Sequence, residues 1–155
     1  MCGICGFIVR KQTDPEQHKT ALSAMLEKIT HRGPDDVGEY HIHPAHMGMR
    51  RLAIIDIEGG QQPLIDSRCG MSMVYNGEVY NYLELKKSLI RDGAPFNTQS
   101  DSEVVLQSFI HLKEKCWTEF NGMFAVALWD PKLQQLTLAR DRFGQKPLYY
   151  IHRPG

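Results

Sequence analysis

The stretch that most constrains the fold of this chain is the apolar run from Met123 to Trp129, Met-Phe-Ala-Val-Ala-Leu-Trp. Successive side chains of a strand point to opposite faces, so a strand that is apolar on both faces must be covered on both. The rest of the chain reads as one strand, one helix, several strands, two helices and several strands. We therefore predict an α+β fold in which two mostly antiparallel sheets stack between helices.

Three helices are predicted, over residues 15–30, over residues 80–91 and in the stretch that follows Ser100. Capping preferences mark their ends, and Ser100 with Glu103 forms a capping box in which each side chain satisfies the other's backbone amide. Apolar residues recur at helical spacing in all three. The side chains predicted to face the core are Leu22, Met25, Leu26, Ile29, Tyr82, Leu85, Leu89, Val105, Phe109 and Leu112.

The remaining β-prone stretches are short and are bounded by turn residues. Asn76-Gly77 is a pair suited to positive φ, and it predicts that the strand before it ends there. The stretches predicted as strands, besides the central one, are residues 3–9, 38–42, 46–55, 71–75, 136–139 and 148–151.

The first residues, Met1-Cys2-Gly3, carry the strongest chemical signal in the chain. If Met1 is removed, Cys2 holds a thiol and a free α-amino group on one residue. An α-amino group titrates near ~7.7–8.0, so it is partly neutral at pH 7 and can accept the thiol proton. A nucleophile and its base then need no third residue, which is the logic of N-terminal nucleophile enzymes. The alternative is that Cys2 is an ordinary small residue at the start of a strand.

Composition argues against several other classes of function. Eighteen basic and eighteen acidic residues give a formal net charge of zero, which provides no electrostatic reason to expect nucleic acid or an anionic membrane as a partner.

Cys2 and Cys5 form a C-x-x-C pair, but the other two cysteines stand alone and no histidine pairs with them, so neither a zinc site nor a redox pair is favoured. Cys5 is expected to be a small buried residue on the opposite face of the strand from Cys2. We see no secretory signal and expect a cytoplasmic protein without metal or organic cofactor.

Six sequence blocks occur together in one order, and together they resemble a known family. The blocks are Met1-Cys2-Gly3-Ile4-Cys5-Gly6-Phe7, His31-Arg32-Gly33-Pro34-Asp35, Arg51-Leu52-Ala53-Ile54-Ile55-Asp56, Asn76-Gly77-Glu78-Val79-Tyr80-Asn81, Ser100-Asp101 and Asp141-Arg142-Phe143-Gly144. With these blocks the chain resembles the class II glutamine amidotransferase domain of glutamine-hydrolysing asparagine synthetases, over essentially its whole length.

The resemblance implies a four-layer αββα sandwich that hydrolyses the side-chain amide of glutamine to glutamate and ammonia. It implies that Cys2 attacks the amide carbon and forms a glutamyl thioester, while its own α-amine moves the proton. It also implies that the side-chain amide of Asn76 and the backbone N–H of Gly77 form the oxyanion hole.

Substrate binding is assigned in the same way. Arg51 would bind the α-carboxylate of glutamine, a use that suits a planar bidentate donor. Asp101 and the region of Glu78 would receive the α-ammonium. The other residues that the resemblance places along the glutamine pocket are Leu52, Ile54, Ile55, Asn76 and Gly77, with Arg32 and Asn81 as candidate supporting residues.

Each of these residues also has an interpretation that needs no ligand. Asp101 could only complement a helix dipole, and Asn76-Gly77 could be a hairpin turn. Arg50 and Arg51 point to opposite faces of a strand, so only one can reach a pocket, and we choose Arg51 because the family motif places its arginine directly before leucine. A cysteine–histidine enzyme is the rival mechanism, with seven histidines available as bases.

We expect residues 1–155 to form one domain, without the ATP-dependent synthetase domain of the family. ATP and magnesium are expected only in that missing domain, since no glycine-rich phosphate-binding loop occurs here. The chain could be a piece of a longer protein, a natural fragment or a stand-alone subunit. The expected partners are glutamine and a synthetase domain or subunit that receives ammonia, with homodimer formation left open. The alternatives are a different carboxylate acceptor, another class II amidotransferase, or a glutamine-binding regulatory fragment without turnover.

Overall fold

A computed structural model describes residues 2–10, 14–52 and 60–153 of the chain. Within those ranges no helix is both long and apolar enough to cross a membrane. Single 3-10 turns cover Thr30–Arg32 and Lys113–Lys115. The strands are β1 (Gly3–Ile8), β2 (Asp36–Ile42), β3 (Ala45–Arg51), β4 (Leu64–Ile65), β5 (Ser72–Val79), β6 (Gly122–Asp130) and β7 (Gln135–Arg140). The helices are α1 (Pro15–Lys28), α2 (Tyr82–Arg91), α3 (Asp101–Leu112) and α4 (Cys116–Glu119).

These elements form four layers. The first sheet has the strand order β1-β3-β2 and the second has the order β4-β5-β6-β7, and every pairing is antiparallel. Helix α1 packs on the outer face of the first sheet, while β1 and β3 face β5 across the space between the sheets. Helix α3 packs on the outer face of the second sheet, with α2 beside it. The predicted αββα sandwich is confirmed.

Strand β6 is covered on both faces, as its sequence predicts. Phe124, Val126 and Leu128 join the core beneath α3. Ala127 and Trp129 point the other way, into the core between the two sheets. One apolar strand therefore contributes to both cores, because successive side chains along it point to opposite faces of the sheet.

Helix α1 begins as predicted but exposes one residue that was expected inside. The Asp14 side chain accepts a hydrogen bond from the backbone N–H of Glu16, and Pro15 occupies the first turn. Leu22 and Leu26 are fully buried, whereas Met25 is 37% exposed. The prediction for Met25 is wrong because α1 contacts the first sheet only along a narrow stripe of its surface. Leu22 and Leu26, about one turn apart, lie on that stripe, and Met25 lies beside it.

Only half of the predicted capping box forms at the start of α3. The Ser100 hydroxyl accepts a hydrogen bond from the Glu103 amide, as expected. The Glu103 carboxylate does not return it, and instead binds the backbone N–H groups of Asn97 and Thr98 and the Thr98 hydroxyl. The glutamate thus fixes the loop before the helix.

The last residue of α3 differs from its prediction. Leu112 was predicted to face the core, but its side chain is 37% exposed.

Two strand predictions are wrong, one at its end and one over its whole length. Strand β5 does not stop at Asn76-Gly77 but continues to Val79, because β6 runs alongside and pairs Ala125 with Asn76 and Phe124 with Gly77. The last predicted strand, residues 148–151, does not form. The segment before it is turned away from β7, since the Arg140 guanidinium binds the carbonyl oxygens of Gly144 and Lys146.

A buried carboxylate ties the short β4 region to α3. Asp66 accepts hydrogen bonds from the Arg68 guanidinium at 2.6 Å and from the Gln107 side chain at 2.9 Å. It also accepts the backbone N–H groups of Arg68 and Cys69. Burial opposes ionisation, but these donors outweigh it and hold the pKa of Asp66 well below its usual range.

Replacing Asp66 with asparagine is expected to lower the free energy of unfolding at pH 7 by about 2 kcal/mol, because hydrogen bonds to a buried charge are lost. A depressed carboxylate pKa stabilises the fold above the unfolded-state value, near ~3.9, and that stabilisation is lost as pH falls toward the folded-state value. The difference between wild type and D66N should therefore shrink below pH ~4. Urea unfolding at several pH values measures it, with the exposed Asp92→Asn as the matched control. A pH-independent difference would contradict the assignment.

Candidate active site

A pocket opens where the two sheets meet the start of α3. Six parts of the fold reach it: the first residues of the chain, the end of β3, the loop before β4, the exposed edge of β5, the N-terminus of α3 and the turn after β7. Most residues that the sequence predicted for a site line it together. They are Cys2, Arg51, Leu52, Asn76, Gly77, Glu78 and Asp101.

Cys2 is held at both its side chain and its backbone. Its sulfur lies 3.4 Å from the backbone nitrogen of Leu52 and 3.6 Å from the carbonyl oxygen of the same residue. Its own carbonyl accepts a hydrogen bond from Nε of Arg32 at 3.1 Å. Arg32 therefore lies against the candidate nucleophile, where the sequence suggested a supporting residue, and it fixes the backbone on which the thiol is carried.

Arg51 and Arg50 point to opposite faces of β3. Arg51 is buried and lines the Cys2 pocket. Nε of Arg50 donates to the carbonyl of Leu26 in α1, on the other side of the sheet. The alternation of a strand thus separates the two neighbours as expected, and the arginine chosen from sequence is the one in the pocket.

The exposed edge of β5 presents backbone amides to the pocket. Alternate residues of a strand direct their N–H groups to the same edge, so Tyr75, Gly77 and Val79 form one row. The Tyr75 amide is bound by Oε1 of Gln62 at 2.7 Å, and the Val79 amide by Oδ2 of Asp101 at 3.0 Å. The Gly77 amide lies between these two and faces the pocket, as an oxyanion-hole donor would.

Close packing requires glycine at position 77. A Cβ there would lie 2.4 Å from the carbonyl oxygen of Met123 and 2.7 Å from Cβ of Phe124, both in the neighbouring strand. The side chain of Asn76 points to the other face, toward the space between the sheets, and is buried. The side-chain amide of Asn76 and the backbone amide of Gly77 therefore reach the pocket from one short segment.

Asp101 is the buried acid of the site. The hydroxyl of Tyr75 donates to its Oδ2 at 2.8 Å, beside the Val79 amide. Burial raises the pKa of Asp101, partly offset by these hydrogen bonds, and the nearby Glu78 raises it further. A cation placed beside a desolvated carboxylate stabilises its charged form, so Asp101 offers a site for a positive group in the pocket that Arg51 also lines.

Sequence reasoning missed several pocket residues, among them Gln62, Tyr75 and Lys146. Lys146 follows the Asp141-Arg142-Phe143-Gly144 block by two residues and is buried at the pocket. The Asp141 carboxylate binds the amides of Phe124, Phe143, Gln145 and Lys146. Burial opposes its ionisation, yet these four donors lower the pKa of Asp141. The block therefore serves as a scaffold that delivers the next residues to the site.

Other predicted residues lie elsewhere. Asn81 is not in the pocket: its side chain binds the carbonyl of Glu119 and the amide of Asn121, so it anchors the start of α2. Ile54 and Ile55 lie outside the described residues. Cys5 points away from Cys2 but is only half-buried, and burial raises the pKa of its thiol to about 11.

The rival cysteine–histidine mechanism finds no support in this geometry. All seven histidines lie within the described ranges, and none lines the Cys2 pocket. Three of them, His18, His41 and His46, cluster instead on the α1 side of the first sheet, the face opposite to Cys2. Over residues 2–10, 14–52 and 60–153, no group of three His, Cys, Asp or Glu side chains could hold a metal ion.

Solved structures with the same arrangement define the class of fold. Glutamine phosphoribosylpyrophosphate amidotransferase from B. subtilis superposes with a TM-score of 0.54 over 68% of this chain and 25% of that one, at 20% identity. A second structure, described as the allosteric regulatory enzyme of purine biosynthesis, gives the same TM-score and coverage at 22% identity. At this identity the likeness concerns the fold alone.

The family follows from sequence. The family described as "Glutamine amidotransferase domain" matches residues 1–155, and the chain belongs to it. It is 42% identical over 153 residues to asparagine synthetase [glutamine-hydrolyzing] 3 of Bacillus subtilis (strain 168), covering 97% of this chain and 25% of that protein. It is 38% identical over 165 residues to amidase chry2 of Gibberella zeae, covering 99% of this chain and 24% of that protein. The chain thus spans about a quarter of the length of these curated relatives.

Proposed function

We propose that this chain, once Met1 is removed, hydrolyses the side-chain amide of glutamine to glutamate and ammonia. The observation that carries the proposal is the pocket itself. It brings the Cys2 thiol, the edge amide of Gly77 and the Asn76 side chain together with buried charged groups, the cations Arg51 and Lys146 and the acid Asp101. The positive charge of Arg51 suits the α-carboxylate of an amino acid, the negative charge of Asp101 suits its α-ammonium, and the thiol suits attack on its amide.

The proposed reaction has two halves. The Cys2 sulfur bonds to the amide carbon while its proton passes to the α-amine of the same residue, and Asn76 with Gly77 stabilises the oxyanion. The α-ammonium then returns the proton to the leaving nitrogen, the C–N bond breaks, and ammonia departs to leave a glutamyl thioester. Water attacks the thioester in the second half, which releases glutamate and restores the thiol.

Glutamate release from glutamine by protein with an N-terminal Cys2 tests the proposal directly. Wild type is expected to turn over, and Cys2→Ala is expected to show none above the chemical background, since the nucleophile is absent. Cys69→Ala is the matched control, because Cys69 packs beside the core of the second sheet and not in the pocket. An active C2A variant would contradict the proposal. A wild type that forms the thioester without turnover would favour a glutamine-binding regulatory domain.

The activity of a longer protein is a further proposal. By analogy with the asparagine synthetases it resembles, the ammonia would pass to a synthetase domain or subunit that converts aspartate to asparagine with ATP and magnesium. No cofactor is proposed for the domain itself, and we propose a cytoplasmic location with neither nucleic acid nor membrane as a partner. Sedimentation velocity on the same sample would show whether it forms the homodimer that the sequence leaves open.

A different acceptor is the second candidate. One relative of similar identity and coverage is named as an amidase and not as an asparagine synthetase. The same glutaminase unit could therefore serve a partner that amidates another carboxylate. Incubating the domain with glutamine, ATP and its partner, and supplying aspartate or other carboxylates, would distinguish the two: only asparagine formation supports the first.

A further inference from the structure

The Tyr75 hydroxyl occupies a position that the proposed chemistry does not yet use. Tyr75 is 2% exposed, and it lies on the opposite face of β5 from Asn76, toward α3. Its hydroxyl reaches Oδ2 of Asp101 at 2.8 Å. Burial and the neighbouring carboxylate raise the pKa of Tyr75 well above its ordinary value, so the phenol stays protonated and donates the hydrogen bond.

This contact leaves one side of the Asp101 carboxylate occupied. Oδ2 accepts both the Tyr75 hydroxyl and the Val79 amide, which is a full set of partners for one carboxylate oxygen. Among the described residues, no lysine, arginine or histidine nitrogen lies within 4.0 Å of this carboxylate. The two hydrogen bonds to Oδ2 fix the orientation of the whole carboxylate, and with it the position of Oδ1. The negative charge of Asp101 can then pair with a cation that enters the pocket.

We propose that Tyr75 is a positioning residue that holds the Asp101 carboxylate in place so that it binds the α-ammonium of the substrate. The inference rests on the proposed glutaminase function and adds the determinant by which an α-amino amide is distinguished from an amide without that group. Tyr75 itself does not touch the reacting amide. Its two links, the hydroxyl to Asp101 and the backbone amide to Gln62, hold the strand edge from both sides of Gly77.

The consequence is a defect confined to substrates with an α-ammonium. Tyr75→Phe removes one hydrogen bond to a buried carboxylate, so KM for glutamine should rise about ten-fold with kcat nearly unchanged. The Tyr75 hydroxyl lowers the pKa of Asp101, so its loss should raise that pKa and shift the acid limb of kcat/KM to higher pH, because a higher pH is then needed to ionise the carboxylate. The other charged or titratable pocket residues are Cys2, Arg51, Glu78 and Lys146.

The decisive experiment compares two substrates, glutamine and 4-carbamoylbutanoate, which is glutamine without its α-amino group. Wild type should prefer glutamine strongly. In Y75F the loss of kcat/KM should appear with glutamine and be nearly absent with 4-carbamoylbutanoate, because that amide makes no contact with Asp101. Tyr82→Phe is the matched control, a half-buried tyrosine packed against the same core. Thermal unfolding of each variant reports stability independently.

The outcomes separate the inference from the function beneath it. If wild type releases no glutamate from glutamine, the proposed function fails. If wild type is active and Y75F loses activity equally on both substrates, or keeps the KM and pH profile of wild type, the positioning role of Tyr75 is overturned and the glutaminase proposal stands. Tyr75→His, whose ring can still donate a hydrogen bond, serves as a second variant and should retain part of the preference for glutamine.

Discussion

Protein that still carries residues before Cys2 is expected to release no glutamate from glutamine, and to become active when those residues are cut away. With any residue attached, the nitrogen of Cys2 is an amide and not an amine, so it cannot accept the thiol proton. Because none of the seven histidines lines the pocket, no described side chain of that type can replace it. The expected loss is about 10³-fold or more, the upper range for a general base together with poor access to the site.

A cleavable N-terminal fusion tests this on a single sample. Cleavage immediately before Cys2 leaves the free amine, and intact mass before and after cleavage shows which form is present. Cleaved C2A is the reference for zero activity. Hydrolysis by the uncut fusion would contradict the N-terminal mechanism and would return attention to an internal base.

Much of this site could be predicted from sequence because its residues are contiguous in short blocks. Strand alternation showed that only one of Arg50 and Arg51 reaches the pocket, and the family motif selected Arg51. The cap at Ser100 placed Asp101 at a helix start, and the resemblance gave it a role in the site. The central strand could also be predicted from a short block, because a strand that is apolar on both faces must be covered on both and therefore lies inside the fold.

The remaining features depend on contacts between distant segments. Nothing local indicates that Asn76-Gly77 stays in a strand, because the reason is the neighbouring β6 and the Met123 carbonyl that excludes a Cβ at position 77. Tyr75 reads as one more apolar position until α3 brings Asp101 within 2.8 Å of its hydroxyl. Asn81, a candidate supporting residue, lies outside the pocket, and its side chain binds the Glu119–Asn121 loop, a contact that its own sequence block does not indicate.

The two members of the oxyanion hole differ in how they can be tested. The Gly77 donor is a backbone N–H, and any side chain at that position would collide with β6, so loss of activity in a Gly77 variant would confuse chemistry with folding. Asn76 is the better target, because its side chain points away from that contact and faces Ala125, a small residue, across the strand pair.

Asn76→Ala is expected to lower kcat for glutamine hydrolysis by about 10²–10³-fold, because one of the two donors to the developing oxyanion is lost. KM should change little, since the oxyanion exists only in the transition state and the charges that bind the ground state, Arg51 and Asp101, are untouched. The rate at which iodoacetamide alkylates Cys2 should stay near that of wild type, which would show that the nucleophile is intact. Asn97→Ala, an exposed asparagine before α3, is the matched control. A variant whose KM rises while kcat holds would place Asn76 in substrate binding and leave the oxyanion to Gly77 alone.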